Sequence, residues 1–160
     1  MKNKKLKSWE EIKKISSSLR RQKKQIVAVS GCFDILHKGH VDFLVKAKTH
    51  GDGLIILLNS DSSVKSYKSS ARPLNVLEDR AYVLSVFQPV DYIVPFEETT
   101  PLKILDLIKP NVFCQGSDWG KNCIEREIVE KNGGKIVVIK KIEGVSTTKL
   151  LEKIRLLPSI

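Results

Sequence analysis

The chain has 160 residues, of which 41% are hydrophobic and 29% charged, a composition typical of one globular domain and unlike that of a disordered segment. Its 28 Lys and Arg residues against 18 Asp and Glu residues give a net charge of +10, and residues 1–25 supply +8 of it. No apolar run reaches the roughly 20 residues of a membrane span and no signal-peptide core is visible, so we expect a cytoplasmic protein without membrane contact. Because the three cysteines form no CxxC pair, we expect neither a disulfide framework nor a zinc cluster.

The basic excess lies in residues 1–25, which we predict to form a helix packed on the domain that follows. Ser8 and Glu11 are spaced as a capping box, and apolar residues recur at helical spacing over 9–21. The following domain, 26–160, carries a net charge of only +2. The high total charge therefore favours nucleic-acid binding less than it first suggests.

From residue 26 onward, short apolar runs alternate with helical patterns. Strands are predicted at residues 26–30, 54–58, 91–95, 111–115 and 135–140. Helices are predicted at residues 38–49, 76–87, 100–108, 123–131 and 147–157. This alternation predicts an α/β fold, a single Rossmann-like doubly wound sheet of about five parallel strands with helices on both faces. Residues 59–75 are polar and serine-rich, and we expect a mobile loop over a site there.

The first predicted strand ends in a segment that combines glycines with two histidines. Its candidate residues are, in order, Gly31, Cys32, Phe33, Asp34, His37, Gly39 and His40. The histidines stand three apart at the start of a helix, where they face one side and where free N–H groups attract phosphate. A lone histidine here would be read as a cap or core residue, and no third ligand stands at a spacing that indicates a metal site.

Basic and hydroxyl residues after the later strands extend this candidate phosphate site. They are Lys65, Lys68, Arg80, Ser146, Thr147 and Thr148. Each has a plainer interpretation: a solvated loop cation for the lysines, a surface ion pair for Arg80, and an ordinary helix cap for the hydroxyls. We count His37 and His40 with Lys65, Lys68 and Arg80 as the useful positive charges of the domain.

Together these segments resemble the HxGH nucleotidyltransferase superfamily, whose members join a nucleoside triphosphate to a phosphorylated small molecule and release pyrophosphate. Within it, Asn-Ser-Asp at 59–61, Arg-Pro at 72–73 and Phe-Glu-Glu-Thr-Thr-Pro at 96–101 are most similar to the heptose 1-phosphate adenylyltransferases. The resemblance covers nearly the whole chain. It implies transfer of AMP from ATP to D-glycero-β-D-manno-heptose 1-phosphate, giving ADP-heptose and pyrophosphate.

The resemblance also implies roles for individual residues. Catalysis is expected of His37, His40 and Lys68. Nucleotide binding is expected of Gly31, Cys32, Phe33, Asp34, Gly39, Lys65, Arg80, Gly116, Asp118, Trp119, Ser146, Thr147 and Thr148. Binding of the acceptor substrate is expected of Asp34, Asp61, Lys68 and Arg72. Magnesium is expected to arrive with the nucleoside triphosphate, and no metal site on the protein is implied.

Two alternatives stay open. The first is a glycerol-3-phosphate-type cytidylyltransferase that uses CTP, a class that shares the Gly-x-Phe-Asp and Ser-Thr-Thr segments. The second is a non-catalytic module that binds nucleic acid through its basic N-terminus. We favour an enzyme that binds ATP and a sugar 1-phosphate, binds neither nucleic acid nor membrane, and forms a homodimer or a larger homo-oligomer.

Overall fold

A parallel sheet forms the centre of the protein in a computed structural model that describes residues 3–117 and 123–158. Within these residues the sheet has five strands, β1 (Ile26–Gly31), β2 (Gly53–Asn59), β3 (Tyr92–Phe96), β4 (Val112–Gly116) and β5 (Lys135–Ile139). The helices of the same residues are α1 (Trp9–Arg21), α2 (Lys38–Lys48), α3 (Asp61–Tyr67), α4 (Leu77–Ser85), α5 (Leu102–Ile108), α6 (Arg126–Lys131) and α7 (Thr147–Arg155). None of these helices is long and apolar enough to cross a membrane.

The strand order is β3-β2-β1-β4-β5, with every neighbouring pair parallel. The chain builds β1, β2 and β3 in one direction and then returns across the sheet to place β4 on the other side of β1. This reversal lies between β1 and β4, where Val27 pairs with Val112. The predicted fold class is confirmed, and each predicted strand agrees with the structure to within one residue at either end.

Helices cover both faces of the sheet. Because successive residues of β1 point to opposite faces, they belong to two different cores. Val27 and Val29 belong to a core shared with α2 and α4, whose buried residues there are Leu44, Ala47, Ala81 and Leu84. Ile26 and Ala28 belong to the core on the other face, where α1, α5 and α6 supply Ile12, Ile104, Leu105, Ile108 and Val129. The carboxyl ends of the strands are left uncovered between these two layers.

The N-terminal segment is bound to the same core. The capping box predicted at α1 is present, since Ser8 Oγ accepts from Glu11 N–H and Glu11 Oε2 accepts from Ser8 N–H. Ile12 is fully buried. Before the helix, Leu6 bridges Ile93 of β3 in parallel, so residues 5–7 extend the edge of the sheet.

Two predictions differ from the structure by three residues or more, while the other predicted helices agree to within two residues at either end. The expected loop over 59–75 contains the helix α3, which Ser60 caps by accepting from Ser63 N–H at 3.1 Å. Serine is common both in loops and at helix starts, so the serine-rich sequence concealed the helix. The helix predicted from residue 123 begins at Arg126.

Deleting residues 1–7 is expected to lower the melting temperature by about 8–16 °C. The deletion removes two backbone hydrogen bonds to Ile93 and two side-chain hydrogen bonds to backbone carbonyls, from Asn3 to Ala81 and from Lys5 to Phe87. Each is worth about 1 kcal/mol, and in a protein of this size 1 kcal/mol corresponds to about 2–4 °C. Differential scanning calorimetry measures the change.

A double variant in which Lys13 and Lys14 become glutamine is the control, because both side chains are exposed on α1 and their loss removes charge without removing pairing. It should melt close to the wild type. A deletion variant as stable as the wild type would show that residues 5–7 do not pair with β3 in solution.

Candidate functional site

A cavity of ≈ 750 Å³ lies at the carboxyl ends of the strands, at the place where the strand order reverses. Every strand or the loop after it contributes to the wall, through Gly31, Asn59, Phe96, Gly116 and Lys140. Open parallel sheets bind their ligands at this position, and the volume suits a nucleotide with a small second substrate. We take this cavity as the candidate site.

The two histidines stand together at the start of α2. His37 is the N-cap, and its Nδ1 accepts from Gly39 N–H at 3.1 Å. The His37 and His40 rings stack with their centroids 3.9 Å apart. A Cβ atom at Gly39 would lie 2.9 Å from the His37 ring, so glycine is required for this approach. Because Nδ1 of His37 accepts, the neutral ring carries its proton on Nε2, and both rings line the cavity.

Both histidines are held in the neutral form. Burial lowers the pKa of His37, and the charge of Lys141 lowers it further. Burial, the neighbouring His37 and the charges of Lys141 and Lys68 lower the pKa of His40 to about 4. These lowered pKa values argue against the expectation that the pair supplies positive charge near neutral pH. The rings offer neutral N–H donors instead.

Acid should destabilise the protein through His40. In the unfolded chain its pKa is about 6.5, so on acidification the unfolded state takes up a proton that the folded state excludes down to about pH 4. Stability from this group thus falls as the pH drops from 6.5 towards 4 and is constant above that range. At pH 5 the loss is about 1–2 kcal/mol.

Melting temperatures of the wild type and a His40→Asn variant at pH 7.5 and pH 5 test this expectation. Asparagine has no proton to gain, so the wild type should lose more stability on acidification than the variant. A His50→Asn variant, altered at an exposed position, should follow the wild type. Equal pH dependence of the wild type and His40→Asn would contradict the burial of a neutral ring.

The start of α7 meets the start of α2 at the cavity. Ser146 caps α7 by accepting from Lys149 N–H at 3.2 Å, and Thr147 Oγ1 donates to Ile35 O at 3.5 Å in the loop before α2. Ser146, Thr147 and Thr148 all line the cavity. Two helix N-termini thus point their free N–H groups and positive dipole ends at one volume, which is suited to a polyphosphate.

Asp34 fixes the loop between β1 and α2 to the segment 72–75. Its carboxylate accepts from the N–H groups of Leu74 and Asn75 and pairs with Arg72 at 2.8 Å. Burial opposes ionisation, but these hydrogen bonds and the Arg72 charge outweigh it and lower the pKa of Asp34. Phe33 precedes it with φ of 47°, and its ring packs against that of His40. Both residues line the cavity, but the Asp34 carboxylate is engaged within the protein.

Three predicted binding residues lie elsewhere. The side chain of Arg80 is 0% exposed and donates to the carbonyl oxygens of Cys32, Asn59 and Asn75 and to Asp61 Oδ1. The structure thus uses Arg80 to join the loops beneath the cavity, and Asp61 is engaged in that ion pair. Lys65 is exposed on α3 and does not contribute to the cavity wall.

Most other predicted residues line the cavity. They are Gly31, Cys32, Gly39, Lys68, Arg72 and Gly116. Cys32 is a buried free thiol whose pKa is raised by burial. Asp118 and Trp119 lie outside the described residues. No group of three or more His, Cys, Asp or Glu side chains within 3–117 and 123–158 is placed to hold a metal ion.

One side of the cavity, near the ends of β2 and β3, carries two cationic side chains, Lys68 and the Asp34-paired Arg72, that each keep a donor without an acceptor in the described residues. The ammonium group of Lys68 lies 5.8 Å from the centroid of the Tyr67 ring and has no hydrogen-bond acceptor in the described part of the chain. Nε of Arg72 is buried and likewise has no acceptor there. Thr99 and Thr100 line the cavity with them. Such donors are suited to a second anionic group.

Several lining residues were given no site role from the sequence, although some belong to segments that carry the resemblance. They include Asn59, Tyr67, Thr99, Thr100, Glu125, Lys140 and Lys141. Asn59 is the last residue of β2 and the two threonines lie in the loop after β3, so their position in the chain was a usable signal. Tyr67 and Glu125 stand in no motif, and only the fold brings them to the cavity.

Comparisons with known proteins agree with this geometry. The chain is 44% identical over 154 residues to the bifunctional protein HldE of Aliarcobacter butzleri. The aligned region covers 96% of this chain and 32% of that protein. It is 46% identical over 152 residues to the bifunctional protein HldE of Campylobacter concisus, covering 94% and 31%. The chain therefore spans about a third of the length of these curated relatives.

Solved structures share the fold. A lipopolysaccharide core biosynthesis protein from Thermoplasma volcanium has a TM-score of 0.63 at 24% identity, covering 74% of this chain and 97% of that one. A pantoate-beta-alanine ligase from Francisella tularensis has a TM-score of 0.63 at 17% identity, covering 94% and 76%. The family model described as cytidylyltransferase-like matches residues 28–154. With the strand reversal, the histidine pair and this match in agreement, the chain belongs to the cytidylyltransferase-like family.

Proposed function

We propose that this chain transfers AMP from ATP to D-glycero-β-D-manno-heptose 1-phosphate, giving ADP-heptose and pyrophosphate. The observation that carries the proposal is the convergence of the N-termini of α2 and α7 on the stacked pair of His37 and His40. The choice of acceptor is supported by the segments 59–61, 72–73 and 96–101, which carry the resemblance to heptose 1-phosphate adenylyltransferases. Each of them supplies residues to the cavity wall.

The reaction needs an anionic nucleophile, an anionic leaving group and donors between them. An oxygen of the acceptor phosphate attacks the α-phosphorus in line, the bond between that phosphorus and the bridging oxygen breaks, and pyrophosphate leaves with the electron pair. No proton has to move, since a sugar phosphate is already ionised at neutral pH. The protein therefore contributes position and charge stabilisation rather than a nucleophile.

The residues of the cavity divide between these tasks. His37 and His40 donate N–H groups to the transferring and leaving phosphates, and the start of α7 binds the end of the triphosphate. Lys68 and Arg72 bind the acceptor phosphate from the opposite side. A flexible ammonium and a planar guanidinium are suited to holding such a group near the α-phosphorus.

Magnesium enters, in this proposal, as part of the substrate. The described residues offer no cluster of carboxylates, and Asp34, the most buried carboxylate of the cavity, is already paired with Arg72. Magnesium prefers phosphate oxygens and retained waters to such a donor set. The nucleotide is accordingly taken up as its magnesium complex.

An assay of four substrate pairs tests the proposal. ATP or CTP is combined with heptose 1-phosphate or glycerol 3-phosphate, and released pyrophosphate is measured. Release is expected with ATP and heptose 1-phosphate. Release confined to CTP with glycerol 3-phosphate would overturn the proposal in favour of a cytidylyltransferase for an alcohol phosphate.

A further inference from the structure

The nucleoside has one part of the cavity left to it once the phosphates are placed. The triphosphate occupies the helix starts at His37 and Ser146, and the acceptor occupies the side of Lys68 and Arg72. The remaining wall lies at the ends of β4 and β5, which run side by side with Gly116 opposite Ile139. Its lining residues include Gly116, Ile124, Glu125 and Ile142.

Glu125 is an unusual member of this wall because it is an acid in an anion-binding cavity. Two other acids line the cavity among the described residues, and both are paired with cations, Asp34 with Arg72 at 2.8 Å and Asp42 with Lys46 at 2.7 Å. Glu125 has no cationic partner in the described part of the chain. Among those residues its Oε2 accepts only from the Cys123 thiol at 3.4 Å, a weak donor.

A carboxylate placed there repels phosphate and accepts hydrogen bonds without donating any. It therefore favours a ligand group that carries N–H or O–H donors and no negative charge. The residue beside it, Ile124, is 57% exposed, an apolar surface next to the carboxylate. An apolar surface beside an acceptor fits the face and the amino edge of a flat, amino-bearing ring.

Building on the proposed function, we propose that Glu125 determines base specificity by accepting a hydrogen bond from the exocyclic amino group of the nucleotide base. The site then takes bases with an amino group at this edge, as in adenine, and rejects bases with a carbonyl oxygen there, as in hypoxanthine. Rejection arises because the carbonyl oxygen and the carboxylate are both acceptors, which leaves a buried pair of acceptors facing each other.

Binding of ATP and ITP in the absence of acceptor tests this inference, since ITP has a carbonyl oxygen where ATP has the amino group. Isothermal titration calorimetry should give the wild type at least about tenfold weaker binding of ITP than of ATP. A Glu125→Gln variant can donate to the carbonyl oxygen, so its ITP and ATP affinities should agree within about twofold. Glu125→Ala should also lose the preference, without gaining affinity for ITP.

Glu127→Gln is the matched control, because Glu127 is exposed on α6 and is not part of the cavity wall. It should keep the preference of the wild type. If Glu125→Gln still preferred ATP over ITP, the inference would be overturned. It would also be overturned if the Glu125 variants lost only the discrimination between ATP and 2′-deoxy-ATP, because that result would assign Glu125 to the ribose. Nucleotide binding without discrimination refutes the role of Glu125 alone, whereas no nucleotide binding at all refutes the proposed function with it.

Discussion

Replacing His40 with alanine is expected to lower kcat for pyrophosphate release by about 10²–10³-fold, the usual cost of removing one donor aimed at charge that develops in a transition state. The ring is stacked on His37 and kept neutral, so its loss removes a hydrogen-bond donor rather than a charge. The KM for ATP should change by only a few-fold, because the interaction is strongest in the transition state.

His37 has a second role that its variants can separate. It caps α2 through Gly39 N–H, so alanine removes both the imidazole and the cap, whereas asparagine keeps an acceptor at the N-cap. His37→Asn should therefore fold like the wild type and still lose most turnover. His37→Ala should additionally lose about 1 kcal/mol of stability.

The same measurements on His50→Ala provide the control, since this histidine is exposed and outside the cavity. The double variant of His37 and His40 should be little slower than the worse single variant, because the pair acts as one unit. Full turnover in His40→Ala would remove the histidine pair from the reaction.

The sheet could be predicted because its inner strands β1, β2 and β4 are largely buried on both faces. Strands of this kind read as continuous apolar runs, and all seven residues of β2 are buried. The start of α1 was also readable, since a capping box is a local pattern that needs no tertiary information. The elements that could be predicted are those specified by such local patterns.

The predictions that differ from the structure concern residues whose role depends on partners far away in the sequence. Arg80 contacts Cys32 across 48 positions of the chain and Asp61 across 19. An arginine and an aspartate after a strand look like phosphate and sugar ligands, and nothing in their spacing shows that they bind each other. The neutral histidines are a similar case, because the burial that lowers their pKa is a property of the assembled cavity.

Arg80 is the residue whose replacement should cost the most stability. An Arg80→Met variant removes the guanidinium donor from three backbone carbonyls and breaks the pair with Asp61, in which the arginine side chain is 0% exposed. Breaking such a group costs about 3–5 kcal/mol, a large part of the 5–15 kcal/mol typical of a whole domain. Urea denaturation measures the loss. Arg126→Met, which removes an exposed i,i+4 pair with Glu130, should cost about 0.3–0.5 kcal/mol.

Arg80→Lys distinguishes this structural role from the nucleotide-binding role that the sequence suggested. A lysine keeps the charge and reaches Asp61. A single ammonium cannot, however, bridge the three carbonyls and the carboxylate to which the planar guanidinium donates. If Arg80 joins the loops, Arg80→Lys loses a large part of the stability lost by Arg80→Met, and turnover falls because Cys32 and Asn59 shift at the cavity wall. If it bound phosphate, the lysine variant would remain as stable as the wild type and lose only nucleotide affinity. Because the guanidinium bonds to the buried residues Cys32 and Asn59 would be lost in part, we expect the first outcome.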